Sequence, residues 1–339
     1  MTEATREMTI VEAFRDVLKR EMRSRPEIFV MGEDARIGGS FLFTLGLAEE
    51  FGHERIFDTP ISESGFIGLS IGAAMMGLRP VIDLQYGDFA FCAYEQIVHN
   101  AAKLRYTSGG QVTIPAVLHF PTGASGRGAT HAQSMESYFT HIPGLKVAVP
   151  ATPYDAKGLL ASALRDNNFC IITSHKLLYG SKGRKVASSS ALSNFVPEGE
   201  YFIPFGKADI KRKGTDVTVV ATLLMLHRAI DVAAELEAAG ISVEVVDPRT
   251  LVPLDTATIL ESVKKTGRLV IVEEDTISYG WGAEISACVA EHAIGYLDAP
   301  IVRVATPDVP MPAAPSLEAL LLPNQATIKA AILRVMGRS

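Results

Sequence analysis

Short apolar runs alternate with amphipathic segments along the first half of the chain. Residues 9–23 place apolar side chains at helical spacing, and the apolar run that follows ends in two acids, Glu33 and Asp34, so we predict a helix leading into a buried strand. Helices that separate short, nearly continuous apolar strands are typical of a parallel sheet covered on both faces. Further helices are predicted at 42–51, 91–106 and 154–165, and further strands at 55–57, 79–84, 115–119, 146–149 and 170–173.

The periodicity stops between 178 and about 205, where Gly, Ser, Lys and Pro accumulate, and residues 186–206 are the predicted linker. A second alternation follows, in which Gly240 and Gly267 fall where helix ends are expected. Its predicted strands are 217–221, 242–246, 269–273 and 300–304, and its predicted helices are 225–239, 256–265 and 283–295. The predicted fold class is therefore α/β, with two doubly wound domains of mainly parallel sheets at 1–185 and 207–339.

An acidic residue, Glu63, lies between a proline-containing turn and a run of small and apolar residues that extends to Gly77. This run predicts a buried helix, which Ser62 or Ser64 can cap and whose positive end Glu63 occupies. Considered alone, Glu63 is explained as a first-turn acid that stabilises the helix dipole.

The amino-acid composition limits the classes of protein to which this chain can belong. A chain of 339 residues is long enough for two domains, and its net charge of −6 without a long basic tract argues against nucleic-acid binding. The three cysteines lie in apolar contexts at spacings that suit neither zinc nor a disulfide framework, so we expect them to be reduced. The polar N-terminus and the absence of a long uncharged apolar run predict neither a signal peptide nor a membrane span, and a cytoplasmic location is expected.

Several familiar sites are missing from the sequence. No glycine-rich phosphate loop opens a helix, no nucleophile elbow is found, and no acidic magnesium motif is present. The spacing of His131, Glu136 and His141 matches no zinc pattern. His131 follows the glycine-rich segment 123–128, and a histidine in such a loop is either functional or an ordinary surface residue. Phe89 is either a core aromatic or a ring contact for a ligand.

Seven spaced blocks resemble one family, the β subunit of the thiamine-diphosphate-dependent decarboxylating component of 2-oxo acid dehydrogenase complexes. The similarity runs in order from about residue 8 to the C-terminus. The blocks are DTPISE at 58–63, GLRPV at 77–81, QIVHNAAK at 96–103, PGLKV at 143–147, DAKGLL at 155–160, DPRTL at 247–251 and SVKKTGR at 262–268.

The resemblance implies a transketolase-like architecture, with a pyrimidine-binding domain followed by a C-terminal domain. It implies that thiamine diphosphate lies between two chains, and that a partner α subunit holds the diphosphate and Mg²⁺ through a Gly-Asp-Gly motif, which this chain lacks. The expected assembly is an α2β2 heterotetramer that passes an acyl group to the lipoyl domain of a dihydrolipoyl acyltransferase. The C-terminal domain is expected to supply dimer contacts and to dock on that acyltransferase.

The resemblance also implies roles for individual residues. Glu63 is expected to hydrogen-bond the aminopyrimidine ring and to act in catalysis, and its apolar neighbours Ile61, Phe66 and Ile67 would favour the neutral acid by desolvation. Ile61, Gln85 and Phe89 are the other expected cofactor contacts. His131 matches the active-site histidine that polarises or protonates the bound intermediate and assists transfer to the lipoyl group.

A structural potassium ion is implied at five backbone carbonyls, and hard oxygen donors suit such an ion. The five residues are Ala116, Ala163, Leu164, Asp166 and Asn168. This chain also departs from the family, because His119 replaces an arginine, Ser174 replaces a glutamate and Thr130 replaces a glutamine. We expect the first two changes to be the coupled loss of one ion pair, and all three leave the substrate undetermined.

The function predicted is decarboxylation of a 2-oxo acid on thiamine diphosphate and transfer of the acyl group to a lipoyl domain. The alternatives are an acetoin-cleaving dehydrogenase β subunit, the pyrimidine-binding half of a split transketolase or carboligase, a non-catalytic assembly protein of the same fold, and a homodimeric enzyme complete in itself.

Overall fold

The computed structural model describes residues 4–180 and 186–338, and the chain divides into two compact units. The first unit comprises Met1–Thr122, Tyr138–Val186 and Asn194–Phe205, and the second comprises Gly123–Ser137, Ala187–Ser193 and Gly206–Ser339. This division differs from the predicted boundaries in two segments, because 123–137 and 187–193 make their contacts with the second unit.

A parallel sheet forms the centre of the first unit, and six of its strands are ordered β6-β7-β5-β4-β2-β3. The strands up to residue 205 are β1 (Thr5–Glu7), β2 (Ile28–Gly32), β3 (Ile56–Asp58), β4 (Arg79–Asp83), β5 (Val117–Thr122), β6 (Lys146–Ala148), β7 (Cys170–His175) and β8 (Phe195–Pro197). The helices over the same range are α1 (Ile10–Ser24), α2 (Leu47–Phe51), α3 (Glu63–Met75), α4 (Ala102–Thr107), α5 (Glu136–Thr140) and α6 (Pro153–Ala163).

Local sequence explains why α1 forms where the periodicity predicts it. Thr9 caps the helix in a capping box with Glu12, and the apolar face of α1 is buried. Helix α1 packs on α6, and Lys157 of α6 places its ammonium 3.1 Å from the Asp16 carboxylate of α1. The predicted helix at the start of the chain is thereby confirmed.

Two other predicted helices are wrong in detail. The prediction at 42–51 retains only the five residues of α2, because Leu42 and Gly46 both adopt positive φ and break the turn before it. In place of the single helix predicted at 91–106, the structure has three successive helical segments. They are a 3₁₀ turn at Gly87–Ala93, a π-helix at Gln96–Ala101 and then α4.

The second unit contains a five-stranded sheet of order β14-β13-β10-β11-β9, in which only β9 runs antiparallel to its neighbour. The strands beyond residue 206 are β9 (Asp209–Arg212), β10 (Val217–Ala221), β11 (Val243–Asp247), β12 (Thr250–Val252), β13 (Leu269–Thr276) and β14 (Val302–Thr306). The helices are α7 (Leu223–Glu237), α8 (Thr256–Thr266), α9 (Trp281–Ala293), α10 (Pro315–Leu321) and α11 (Gln325–Val335). Gly267 ends α8 with φ +68°, as the pattern predicts.

The predicted linker at 186–206 is largely built into the two units. Strand β8 pairs antiparallel with β1, and Val196 is fully buried. Ser189, in contrast, belongs to the second unit, where its N–H donates to His227 Nδ1 over 3.0 Å. Residues 181–185 of the aperiodic stretch lie outside the described residues. Within the described part of the chain, no helix is both long and apolar enough to cross a membrane.

Candidate functional site

Glu63 is the first residue of α3, and its side chain is buried. Ser62 occupies the N-cap position, but its side chain makes no capping hydrogen bond, so the predicted capping role is wrong. Within residues 4–180 and 186–338, the Glu63 carboxylate has no hydrogen-bond partner. A buried carboxylate at the positive end of a helix, with its oxygens available, is suited to binding a ring nitrogen that carries or accepts a proton.

Close packing holds α3 in place. The 3₁₀ turn Gly87–Ala93 packs against α3, and so does the π-helix at Gln96–Ala101. At Gly68 a Cβ atom would lie 3.2 Å from the Gln96 side-chain oxygen, so a larger residue would require the Gln96 side chain to move. At Gly72, in the same run, no atom lies within 4 Å of the corresponding position.

Glu33 is a second acid near Glu63, and it follows β2 directly. Burial raises the pKa of Glu33, and the negative charges of Glu63 and Asp34 raise it further. Its Oε1 atom is buried without a hydrogen-bond partner among the described residues. In the sequence, Glu33 is recognisable only as an acid at a strand end and is not among the predicted site residues. The signal that could have added it is that parallel strands end at the same edge of a sheet.

Gln85 and Phe89 follow β4, which lies next to β2 in the sheet. The Gln85 amide is already engaged, because its Nε2 donates to the Glu33 carbonyl over 2.8 Å and its Oε1 accepts from the Ser40 N–H over 3.1 Å. Gln85 therefore fixes the segment that presents Glu33. The half-buried Phe89 ring lies 5.4 Å from the Tyr86 ring, in the 3₁₀ turn that contacts α3.

The apolar surroundings predicted for Glu63 are only partly present. Phe66 and Ile67 are buried, but the Ile61 side chain is 82% exposed and does not shield the carboxylate within this chain. Ile61 is therefore available to another chain or to a ligand rather than to the core.

His131 lies in segment 123–137, which belongs to the second unit, whereas the other candidates belong to the first. Its N–H donates to the Gly128 carbonyl over 3.2 Å, and its Nδ1 lies 3.0 Å from the Thr130 hydroxyl oxygen. The structure thus brings Glu63, Glu33 and the Gln85–Phe89 turn together in one unit and presents His131 from a loop of the other.

His119 and Ser174 each have hydrogen-bond partners within this chain. His119 is buried, with Nδ1 2.8 Å from Asp83 Oδ1 and Nε2 bonded to the Tyr179 hydroxyl, and its ring stacks on Phe43 with 3.7 Å between the ring centroids. Burial raises the pKa of Asp83, and the bond to His119 offsets part of that rise. Ser174 donates to the Pro150 carbonyl over 3.1 Å. The two residues thus lie in separate hydrogen-bond networks, and the coupled loss of an ion pair stays a prediction.

The carbonyls implied as potassium ligands already accept hydrogen bonds. The Leu164 carbonyl accepts from Arg25 over 3.0 Å and from Arg79 over 3.1 Å, and the Asp166 carbonyl accepts from Arg79 over 2.9 Å. The donor type suits potassium, but both acceptor positions of the Leu164 carbonyl are filled, so an ion would have to displace a guanidinium group. Potassium binding stays a prediction.

In the described residues, no group of three His, Cys, Asp or Glu side chains is placed to hold a metal ion.

Models of known protein families match the sequence in both units. The family model "Transketolase, pyrimidine binding domain" matches residues 6–182, and "Transketolase, C-terminal domain" matches residues 206–328. A solved structure described as "Split gene transketolase, inactive beta4 tetramer" has a TM-score of 0.78 over 98% of this chain and 99% of that chain. At 24% identity, this similarity shows the fold alone.

Three curated relatives show the similarity in sequence. "Pyruvate dehydrogenase E1 component subunit beta" of Rhizobium meliloti is 47% identical over 97% of this chain and 70% of its own length. "2-oxoisovalerate dehydrogenase subunit beta" of Bacillus subtilis is 43% identical over 96% of this chain and 97% of its own. "Acetoin:2,6-dichlorophenolindophenol oxidoreductase subunit beta" of Cupriavidus necator is 44% identical over 98% of both.

The fold and the domain matches define a two-domain protein of the transketolase class. The relatives narrow that class, since they are β subunits of pyruvate, branched-chain and acetoin dehydrogenase systems. The chain belongs to the family of β subunits of the first component of 2-oxo acid dehydrogenase complexes. The resemblance and the fold class predicted from the sequence are thereby confirmed.

Proposed function

We propose that this chain is the β half of a thiamine-diphosphate-dependent enzyme that decarboxylates a 2-oxo acid. The observation that carries the proposal is the Glu63 carboxylate, which is buried at the start of α3 beside Glu33 and is without a hydrogen-bond partner among the described residues. Its oxygens are therefore available for a hydrogen bond with a ligand, and hydrogen bonds that involve a charged group are stronger than those between neutral groups.

The residues of this chain act on the aminopyrimidine end of the cofactor. When bound, thiamine diphosphate supplies the nucleophilic carbon and the electron sink for decarboxylation. Glu63 would hydrogen-bond the pyrimidine nitrogen and hold a proton there, and Phe89 would supply an aromatic contact to the pyrimidine. Glu33 keeps its proton to a higher pH than an ordinary glutamate, so the pair does not carry two full negative charges side by side. His131 would polarise or protonate the reacting group.

The diphosphate and Mg²⁺ are assigned to a partner α subunit, since this sequence contains no Gly-Asp-Gly motif. We propose an α2β2 heterotetramer in which α3 lies at the subunit contact. Ile61, Leu69 and Met76, on or beside α3, are 82%, 59% and 84% exposed, and apolar side chains so exposed are typical of surfaces that another chain covers. The acyl group then passes to the lipoyl domain of a dihydrolipoyl acyltransferase, on which the C-terminal domain docks.

A potassium ion at the five carbonyls of Ala116, Ala163, Leu164, Asp166 and Asn168 and a cytoplasmic location are part of the same proposal. The first follows from the family resemblance and the second from the sequence composition. Acetoin is kept as an alternative substrate, because the Cupriavidus necator relative is named for it and is 44% identical to this chain.

The proposal is tested by coexpressing the chain with an α subunit of this family and measuring turnover of pyruvate, branched-chain 2-oxo acids and acetoin. Glu63→Gln should lower the turnover rate by about 10²- to 10⁴-fold, because a glutamine cannot exchange the proton. Glu49→Gln is the matched control, since Glu49 is an exposed acid in the first turn of α2, and it should leave turnover unchanged. An active Glu63→Gln assembly would contradict the proposal.

A further inference from the structure

The loop that carries His131 is held by two carboxylates of the second unit. The N–H of Ala124 donates to Glu274 Oε1, and the N–H of Gly126 donates to Glu318 Oε2 over 2.8 Å. Glu274 lies in β13, and Glu318 lies in the first turn of α10. Hydrogen bonds from N–H groups to ionised carboxylates are stronger than those between neutral groups. Two elements distant in sequence therefore fix the beginning of this loop.

Apolar and steric contacts reinforce the two hydrogen bonds. Ala124 and Ala132 are buried in one cluster with Met311 and Leu322. The N–H of Gly123 donates over 3.0 Å to the carbonyl of Gln133, the residue after Ala132. This hydrogen bond closes the base of the loop. The loop is thus tied to the second unit at both of its ends.

Gly128 sits between the two held ends and directly supports His131. Its φ is +78°, and a Cβ atom there would lie 3.2 Å from Ala313 Cβ, so only glycine fits without displacement. The Gly128 carbonyl accepts the His131 N–H. The position of the His131 backbone therefore depends on a segment that Glu274 and Glu318 hold in place.

Glu274 interacts electrostatically with a cation, Arg228. Burial lowers the pKa of Arg228, and the negative charge of Glu274 offsets part of that fall. Arg228 also donates to the Pro323 carbonyl, just beyond α10. Arg228 thus interacts electrostatically with Glu274 and hydrogen-bonds the chain that follows the helix carrying Glu318.

We propose that Glu274 and Glu318 are positioning residues for His131, so that the second unit sets where this histidine is presented. They act through the backbone of residues 124–128 and do not touch the substrate. The inference rests on the proposed role of His131 in the reaction, and the experiment below separates the two.

The experiment uses the chain coexpressed with its α subunit. Glu274→Ala and Glu318→Ala should each lower kcat roughly 10- to 100-fold, since a displaced catalytic group costs rate, while KM for the 2-oxo acid stays within about twofold. Glu274→Gln and Glu318→Gln keep an acceptor oxygen and should restore most of the lost rate. Glu261→Ala, an exposed acid of α8, is the control and should behave as the wild type.

Double variants decide whether the loss acts through His131. If the two acids position His131, then Glu318→Ala combined with His131→Ala should be no slower than His131→Ala alone. Multiplied losses, or full activity of both alanine variants beside an inactive His131→Ala, would overturn the inference. An active His131→Ala would instead overturn the proposed role of His131.

Hydrogen exchange of the same assemblies provides a readout that does not depend on turnover. The amide of Ala124 in Glu274→Ala and the amide of Gly126 in Glu318→Ala should exchange at least about tenfold faster than in the wild type, because each loses its acceptor, while the strands of both sheets stay protected. Unchanged exchange at these two amides would overturn the inference, and so would faster exchange throughout the chain, which would show a general loss of structure.

Discussion

At the scale of single residues, the structure adds most to the description of the acids Glu63 and Glu33, because it shows that they lie near each other. Glu63 and Glu33 each follow a strand, and the order β4-β2-β3 brings those strand ends together. The motif containing Glu63 and the acid-terminated strand at Glu33 could both be identified in the sequence. Their proximity could not, because strand order depends on how distant segments pair and no local pattern records it.

The raised pKa of Glu33 predicts a pH dependence of stability. An acid whose pKa is raised in the folded state adds stability below its unfolded pKa of 4.5, and it loses that contribution as pH rises through the folded pKa. Glu33→Gln removes this ionisation, so the variant should gain stability relative to the wild type at neutral pH. The gain should shrink as pH falls towards 4.5, in thermal unfolding measured across that range. A stability difference that is constant with pH would contradict the electrostatic explanation.

The His119 network shows what the identities of single residues do not reveal. Asp83 and the Tyr179 hydroxyl bond the two nitrogens of the buried imidazole, and Ser174 bonds the Pro150 carbonyl. These partners come from segments that are distant in the sequence, so no local pattern could identify them.

At the scale of elements, the long amphipathic helices and buried strands could be predicted, and the short or irregular ones could not. Helix α1 begins within a residue of its predicted start because both a capping box and a strong apolar face mark it. The π-helix at Gln96–Ala101 carries no such signal. Strands β1 and β8 were missed since each has three residues and is specified by its pairing with the other.

Gly32 provides a test of the packing between elements. It ends β2, and a Cβ atom there would lie 2.2 Å from the Asp83 carbonyl oxygen of β4. Gly32→Ala should therefore separate the two strands and destabilise the protein by about 2 kcal/mol or more. Gly295→Ala is the control, because no atom lies within 4 Å of the corresponding position. Chemical denaturation that shows equal stability for the two variants would contradict the close approach.

At the scale of the whole molecule, the two domains and their mainly parallel sheets could be predicted from alternation alone. The division of the chain into compact units could not be predicted. Segment 123–137 belongs to the second unit, although the residues on both sides of it in the sequence belong to the first. Nothing in its glycine-rich sequence marks the acceptors Glu274 and Glu318, which lie far along the chain. Long-range hydrogen bonds to backbone N–H groups have no periodic signature.

The central claim is that this chain carries half of a cofactor site, with the diphosphate held by another chain. Isothermal titration with thiamine diphosphate and Mg²⁺ tests it most directly, on the purified chain alone and on the chain coexpressed with its α subunit. We expect tight binding only by the coexpressed assembly, because the proposed function assigns the N–H groups and metal ligands for the diphosphate to the partner. Tight binding by the chain alone would contradict the claim.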